Sequence, residues 1–279
     1  MKTVVAETVM LGREAFETLG DVNVIPDRQI GPEHLTDADA LVIRSKTKIT
    51  PELIDGSPLR FVGTATAGFE HIDFQWLEKK EIEWTASPGC NADSVGDYIT
   101  AALLYSHTYK GVGIDGKTTG IIGVGQVGSR VAKRAEALGL RVLLNDPPRA
   151  EKEGDANFES LETLLTESDI VTLHVPLETE TPWPTWKMAN RDFFEKIKPG
   201  AVFINASRGK VFDADALLAA KAAGTVSHAI LDVWDPEPQI RADVLAAADI
   251  GTPHIAGHSL EGKLNGTLQV YEAACRFFG

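Results

Sequence analysis

Cysteine is scarce in these 279 residues: only Cys90 and Cys275 occur, too few for a disulfide framework. No apolar run approaches the roughly 20 residues that a membrane-spanning helix needs. Residues 1–16 lack the long apolar core of a secretory signal. These absences place the chain, as an expectation, in the cytoplasm. Positive charge is also in short supply, with 27 Lys and Arg against 40 Asp and Glu and a net charge of −13. Phosphate backbones and anionic bilayers attract surplus cations, so neither nucleic acid nor membrane is expected as a partner. An anionic small substrate would have to meet a local cationic pocket instead. Internal repeats and low-complexity tracts are missing too. With 43% apolar and 24% charged residues, the composition excludes a disordered or fibrous chain, and the length predicts one or two domains.

Short apolar runs alternate with amphipathic stretches, the pattern of parallel strands joined by crossover helices. In the first third, strands are predicted over 2–5, 40–44 and 61–64, and helices over 13–19, 51–54 and 74–79. Pro88-Gly89 marks a break before a helix predicted over 94–105. A second series follows, with strands at 118–122, 141–145, 170–175, 201–205 and 227–232. Its helices are predicted over 129–138, 161–167, 191–197, 214–223 and 242–248, and a long helical pattern over 260–278 closes the chain.

Gly123-Val-Gly125-Gln126-Val127-Gly128 follows an apolar strand and opens a helix, the context in which a GxGxxG run carries meaning. Gly123 suits the tight turn, Gly125 lets backbone approach a pyrophosphate, and Gly128 lets helix pack on strand. The helix N-terminus offers N–H groups and a positive dipole end to the anion. Asp146 ends the next strand and can accept from a ribose 2′-OH, which favours NAD over NADP. Arg149 argues the other way, but Pro147-Pro148 is expected to turn it aside. The expected fold class is therefore α/β with two doubly wound parallel-sheet domains. A flavodoxin-like substrate domain would span 1–97 plus 258–279, and a Rossmann NAD-binding domain 98–257.

Three further strand ends carry chemistry: Asn205-Ala206-Ser207-Arg208-Gly209, Asp232-Val-Trp-Asp-Pro-Glu237, and Gly251-Thr-Pro-His254-Ile-Ala-Gly257. Ligands of open α/β sheets sit outside the carboxyl ends of strands, so these loops should converge on the nicotinamide. Ala206, Ser207 and Gly257 are placed beside the cofactor on that ground. Hydride transfer at a carbon bearing oxygen needs a proton partner, and His254 can serve near neutral pH. Glu237 would hold its ring and stabilise the imidazolium, while the fork of Arg208 suits a carboxylate or a polarised C–O bond. His34, His71, His107, His174 and His228 lack such company. Glu70-His71-Ile72-Asp73 reads as a turn into a helix, and no metal site is expected.

Taken together, these residues resemble the NAD-dependent D-2-hydroxyacid dehydrogenases over essentially the whole chain. The resemblance implies catalytic roles for Arg208, Glu237 and His254, a nicotinamide contact for Asp232, and a pyrophosphate-side loop at His174-Val175-Pro176-Leu177. The runs Gly63–Gly68, Pro88–Ala92, Asn145–Ala150 and Gly251–Gly266 point to the branch that oxidises a phosphorylated hydroxy acid on the route to pyridoxal 5′-phosphate. Ser45 and Thr66 are implied substrate contacts, and Arg44 joins them because Arg44-Ser45-Lys46-Thr47-Lys48 concentrates cations in an acidic protein. His258 stands where the family has a substrate-contacting Tyr, and Val175 where it has a polar cofactor contact. The family continues past the position of Gly279 into a dimerisation domain that this sequence does not carry. A homodimer through the cofactor domain is still expected, because Tyr98, Ile99, Leu103 and Leu104 make the predicted helix apolar on more than one face. The expected reaction is NAD-dependent oxidation of a small anionic D-2-hydroxy acid in an interdomain cleft. Two alternatives stay open: a relative acting on phosphoglycerate or a 2-keto acid, and a NAD-responsive binding protein without turnover.

Overall fold

The computed structural model describes all of residues 1–279. Its strands are β1 (Lys2–Ala6), β2 (Asp21–Ile25), β3 (Ala40–Ile43), β4 (Phe61–Thr64), β5 (Glu83–Thr85), β6 (Thr118–Ile122), β7 (Arg141–Asn145), β8 (Ile170–Leu173), β9 (Ala201–Asn205), β10 (Val226–Leu231) and β11 (Ile250–Gly251). Its helices are α1 (Gly12–Phe16), α2 (Pro51–Ile54), α3 (Phe74–Lys79), α4 (Ala92–Tyr109), α5 (Gln126–Ala137), α6 (Pro147–Glu153), α7 (Leu161–Glu167), α8 (Arg191–Lys196), α9 (Ala214–Ala222), α10 (Ala242–Ala247) and α11 (Leu260–Phe278). Two compact units result: Met1–Asn91 with His258–Gly279, and Ala92–Gly257. The break falls at 91/92 where 97/98 was expected, because α4 starts at Ala92 and packs with the second unit.

The first unit is a five-stranded parallel sheet in the order β2-β1-β3-β4-β5. The central strands β3 and β4 are buried at every residue, as parallel strands covered on both faces must be. The edge strands β2 and β5 escaped the sequence reading because they are only part-buried and carry polar residues. Helix α11 lies on β4, and glycine makes the approach possible. A Cβ built at Gly63 would lie 2.2 Å from Val270 Cγ1, and one at Gly266 2.8 Å from the Ala65 carbonyl oxygen. The buried Ser87 hydroxyl ties the two together, reaching the Thr64 carbonyl at 3.1 Å and the Gly266 carbonyl at 2.9 Å.

The second unit is a six-stranded parallel sheet in the order β11-β10-β9-β8-β6-β7. Chain order reverses at β6, which lies between β7 and β8, so the switch point is beside the glycine-rich turn. Helix α4 packs its Val95, Ile99, Ala102 and Leu103 side into this unit's core with Val131 and Ala135 of α5. No helix is long and apolar enough to cross a membrane.

Gly63→Ala should cost about 1–3 kcal/mol, because an added methyl has no room between β4 and α11. The measurement is the urea midpoint at unchanged slope. An unchanged midpoint would mean that α11 is free to shift off the strand.

Candidate active site

The glycine loop takes the shape its sequence anticipates. Gly123 has φ +84°, and a Cβ there would sit 2.7 Å from the His174 carbonyl oxygen and 2.8 Å from Val175 Cγ1. Gly128 passes so close to the Gly123 carbonyl that a Cβ would overlap it at 2.0 Å, whereas at Gly125 a Cβ meets nothing within 4 Å. The open Gly125 backbone therefore stands at the N-terminus of the 12-residue α5, with Gln126 and Val127 in its first turn and no acidic residue there. This is a surface that a pyrophosphate fits. Val175 and Pro176 follow β8 on the neighbouring loop.

Asp146 ends β7 and does more than face outward. Its carboxylate accepts the Val124 N–H at 2.7 Å and caps α6 through the Arg149 N–H at 3.1 Å. The expectation that Pro147-Pro148 would turn Arg149 aside is overturned. The two prolines occupy the first turn of α6, where a missing N–H costs nothing, and this brings Arg149 back toward the glycine loop. Its guanidinium donates to the Val124 carbonyl at 2.6 Å and pairs with Glu153 at 2.7 Å.

Arg208, Glu237 and His254 come together at the carboxyl ends of β9, β10 and β11. Glycine again sets the spacing. A Cβ on Gly209 would lie 1.8 Å from the Trp234 carbonyl oxygen, so the Arg208 and Glu237 loops touch backbone to backbone. Glu237 divides its carboxylate: Oε1 accepts the Trp234 N–H at 2.7 Å and Oε2 lies 2.9 Å from His254 Nδ1. The Glu237 bond holds the His254 imidazole above its ordinary value of 6.5, against the opposing pull of burial and of Arg208. Burial pushes Glu237 up, but the bonds from His254 and the Trp234 N–H outweigh it and hold the carboxyl below its usual range. Nδ1–H donates to that carboxylate, which leaves Nε2 for proton exchange. His254 has φ +56°, a left-handed backbone that a residue with a Cβ adopts only where its surroundings enforce it.

Ala206 and Ser207 lie between β9 and Arg208. The buried Ser207 donates both its hydroxyl and its N–H to Asn205 Oδ1, at 2.8 and 3.0 Å, and its carbonyl accepts from the Arg208 guanidinium at 2.9 Å. Asp232 is buried and accepts from Thr252 Oγ1 at 2.6 Å and from the Ile255 and Ala256 N–H groups, each at 2.8 Å. Gly257 ends the unit.

In the first unit, Arg44 leaves the end of β3, and its Nη1 is buried without a protein partner. Burial pushes this guanidinium down from its ordinary value, with Cys90 and Asp27 opposing. Ser45 is exposed on the adjoining turn. Thr66 follows β4 and donates to the Gly68 carbonyl at 2.8 Å. Its proton is thus committed, so Thr64 donates to Thr66 across 2.7 Å and His71 Nε2 donates to Thr64 across 2.9 Å. His258 precedes Ser259, whose hydroxyl caps α11 at the Gly262 N–H. Burial pushes His258 below its ordinary value, and Lys263, Arg44 and Lys46 push it the same way. Asp73 caps α3, which accounts for the Glu70–Asp73 run, and no group of three potential ligands is arranged to hold a metal.

The NAD binding domain of the D-isomer specific 2-hydroxyacid dehydrogenases matches residues 97–256. The chain belongs to that family. It is 47% identical over 279 residues to the erythronate-4-phosphate dehydrogenases of Proteus mirabilis and Klebsiella pneumoniae, covering all of this chain and 74% of each of those proteins. Among solved structures, D-lactate dehydrogenase of Aquifex aeolicus in complex with NAD and lactic acid superposes with a TM-score of 0.78 at 28% identity, over 99% of this chain and 95% of that one. The NAD-bound 3-phosphoglycerate dehydrogenase of Entamoeba histolytica gives 0.82 at 26% identity, over 100% and 95%. The dehydrogenase is thus a NAD-dependent oxidoreductase acting on a 2-hydroxy acid, built from two parallel-sheet α/β units.

Several residues of the dehydrogenase's site escaped the sequence reading. Gly209 and Trp234 bring the Arg208 and Glu237 loops together, and Thr252 bonds Asp232; each looks like an ordinary loop residue in one dimension. Lys263, near the start of α11, acts on His258 together with Lys46 of the anticipated cation run, which is far away in sequence. Glu237→Gln should lower the His254 pKa toward 6.5, since the amide no longer stabilises the charged imidazole. An NMR titration of the ring protons measures this, and an unmoved midpoint would detach Glu237 from His254.

Proposed function

We propose that the enzyme oxidises 4-phospho-D-erythronate to 2-oxo-3-hydroxy-4-phosphobutanoate, a step toward pyridoxal 5′-phosphate. The observation that carries the substrate is the cationic set of the first unit. Arg44 offers a buried guanidinium nitrogen without a protein partner, and Arg44, Lys46 and Lys263 all lie close enough to His258 to act on its ring. The neighbouring Asp27 is occupied with Thr8, whose hydroxyl and N–H it accepts at 2.6 and 3.3 Å. Such a set suits the dianionic end of a phosphorylated acid, with the Ser45 hydroxyl after β3 adding a neutral contact and Thr66 after β4, whose proton goes to Gly68, accepting from a substrate hydroxyl. The identity to erythronate-4-phosphate dehydrogenases along the whole chain supports the same reading.

Each group has a defined task. NAD would supply the hydride acceptor for the substrate's C2. Gly123, Gly125 and Gly128 with the first turn of α5 would hold the pyrophosphate, with Val175 and Pro176 on the neighbouring loop. Asp146 would accept from the adenosine ribose and its charge would disfavour a 2′-phosphate, while Arg149 is offset by its pair with Glu153. Ala206, Ser207, Asp232 and Gly257 would hold the nicotinamide end. His254 Nε2 takes the hydroxyl proton, Glu237 stabilises the resulting imidazolium, and Arg208 holds the carboxylate and polarises the C–O bond.

The test is a panel of 2-hydroxy acids, with and without phosphate and including 3-phosphoglycerate, followed by NADH absorbance. The highest kcat/KM is expected for 4-phosphoerythronate. A preference for another acid overturns the substrate, and absence of turnover on all overturns the reaction. His254→Asn should lower kcat by about 10²–10⁴-fold while leaving NADH binding intact.

The homodimer belongs to the same proposal. Ile99 and Leu103 of α4 are buried within the second unit, but Leu104, Tyr105 and Tyr109 on its other side are exposed, Tyr109 by 72%. A second copy covers this face through a two-fold contact. Light scattering at micromolar concentration should report twice the 30.1 kDa chain, and a clean monomer removes the assignment.

A further inference from the structure

We infer that Tyr98 and Thr252 are positioning residues of the hydride-transfer site, a relay of two hydroxyls that runs from helix α4 to the Asp232 carboxylate and fixes the loop carrying His254. The inference rests on the reading of His254 as the proton acceptor.

The relay is short and continuous. Tyr98 Oη lies 2.7 Å from Thr252 Oγ1, which lies 2.6 Å from Asp232 Oδ1. Counting protons gives it a direction. A carboxylate accepts and cannot donate, so the single Thr252 proton goes to Asp232. Thr252 must then accept from Tyr98. Burial pushes the Tyr98 phenol above its ordinary value, so it keeps the proton this role requires. Hydroxyls in series polarise one another, which tightens the terminal bond to the carboxylate.

Asp232 passes this placement to the catalytic loop. It is 1% exposed, and residues on either side of His254 hang from it. Besides the Thr252 hydroxyl, its carboxylate takes the Ile255 and Ala256 N–H groups at 2.8 Å each, and its own carbonyl takes the His254 N–H at 2.8 Å. Trp234 Nε1 holds the Thr252 carbonyl at 2.9 Å. These bonds enforce the left-handed backbone of His254, whose φ of +56° aims the ring at Glu237. The relay thus joins three segments that are remote in sequence: α4, the end of β10 and the loop after β11.

The experiment compares Thr252→Val, Thr252→Ser, Tyr98→Phe and the Tyr98→Phe/Thr252→Val pair by NADH absorbance on the best acid of the panel. Thr252→Val should lower kcat by about 10- to 100-fold, the span of one charge-assisted hydrogen bond, with the hydroxy-acid KM within about twofold. Thr252→Ser should restore kcat, because it keeps the hydroxyl and loses only a methyl. Tyr98→Phe should cost several-fold alone and nothing further in the Thr252→Val background, as expected of groups acting in series. Wild-type kcat in Thr252→Val, failure of serine to rescue, or losses that multiply in the double variant would each overturn the relay. His254→Asn is run alongside: if it is impaired while Thr252→Val is not, only the relay fails, and if it too is unimpaired, the site reading fails with it.

Discussion

Six strands that run the same way release their loops at one edge of their sheet, and the chemistry of the second unit hangs from that edge. The glycine loop, Asp146, Val175, Arg208, Asp232 and His254 each follow a different strand, yet all emerge on the same side. Parallel geometry alone brings them only into the same neighbourhood. The final ångströms come from places where backbone touches backbone, at Gly123 against the His174 carbonyl and at Gly209 against the Trp234 carbonyl. A side chain at either position would prise two loops apart.

His254 and His258 are pushed in opposite directions by their neighbours. Glu237 raises His254, whereas burial and three cations lower His258. One imidazole is thereby prepared to gain a proton and the other to remain a neutral hydrogen-bonding group. A net charge of −13 conceals this arrangement, because a ring senses charges within a few ångströms and the screened remainder hardly at all.

What was legible in the sequence was whatever local rules govern. The α/β alternation, the glycine turn, the acid ending β7 and the Arg208, Glu237 and His254 strand ends all carry their signal within a few residues. The edge strands β2 and β5 were missed because half-burial mixes polar with apolar residues. Arg149 was misjudged for a related reason: a pair of prolines reads as a turn, but capped by Asp146 it opens a helix. The link from Tyr98 to Asp232 through Thr252 left no trace at all. Its partners are 154 and 20 positions apart, and only the folded sheet brings them within hydrogen-bond reach.

The discontinuity of the first unit has a consequence for how the molecule is made. Val270 is wholly buried in that unit's core, so the core stays open until α11 has left the ribosome. The second unit is continuous in sequence and needs nothing beyond Gly257 to close. Until α11 emerges, the apolar surface of β4 waits for a helix encoded about two hundred residues later. The nascent protein therefore holds an unfinished sheet, and that sheet is the surface that chaperones would have reason to shield.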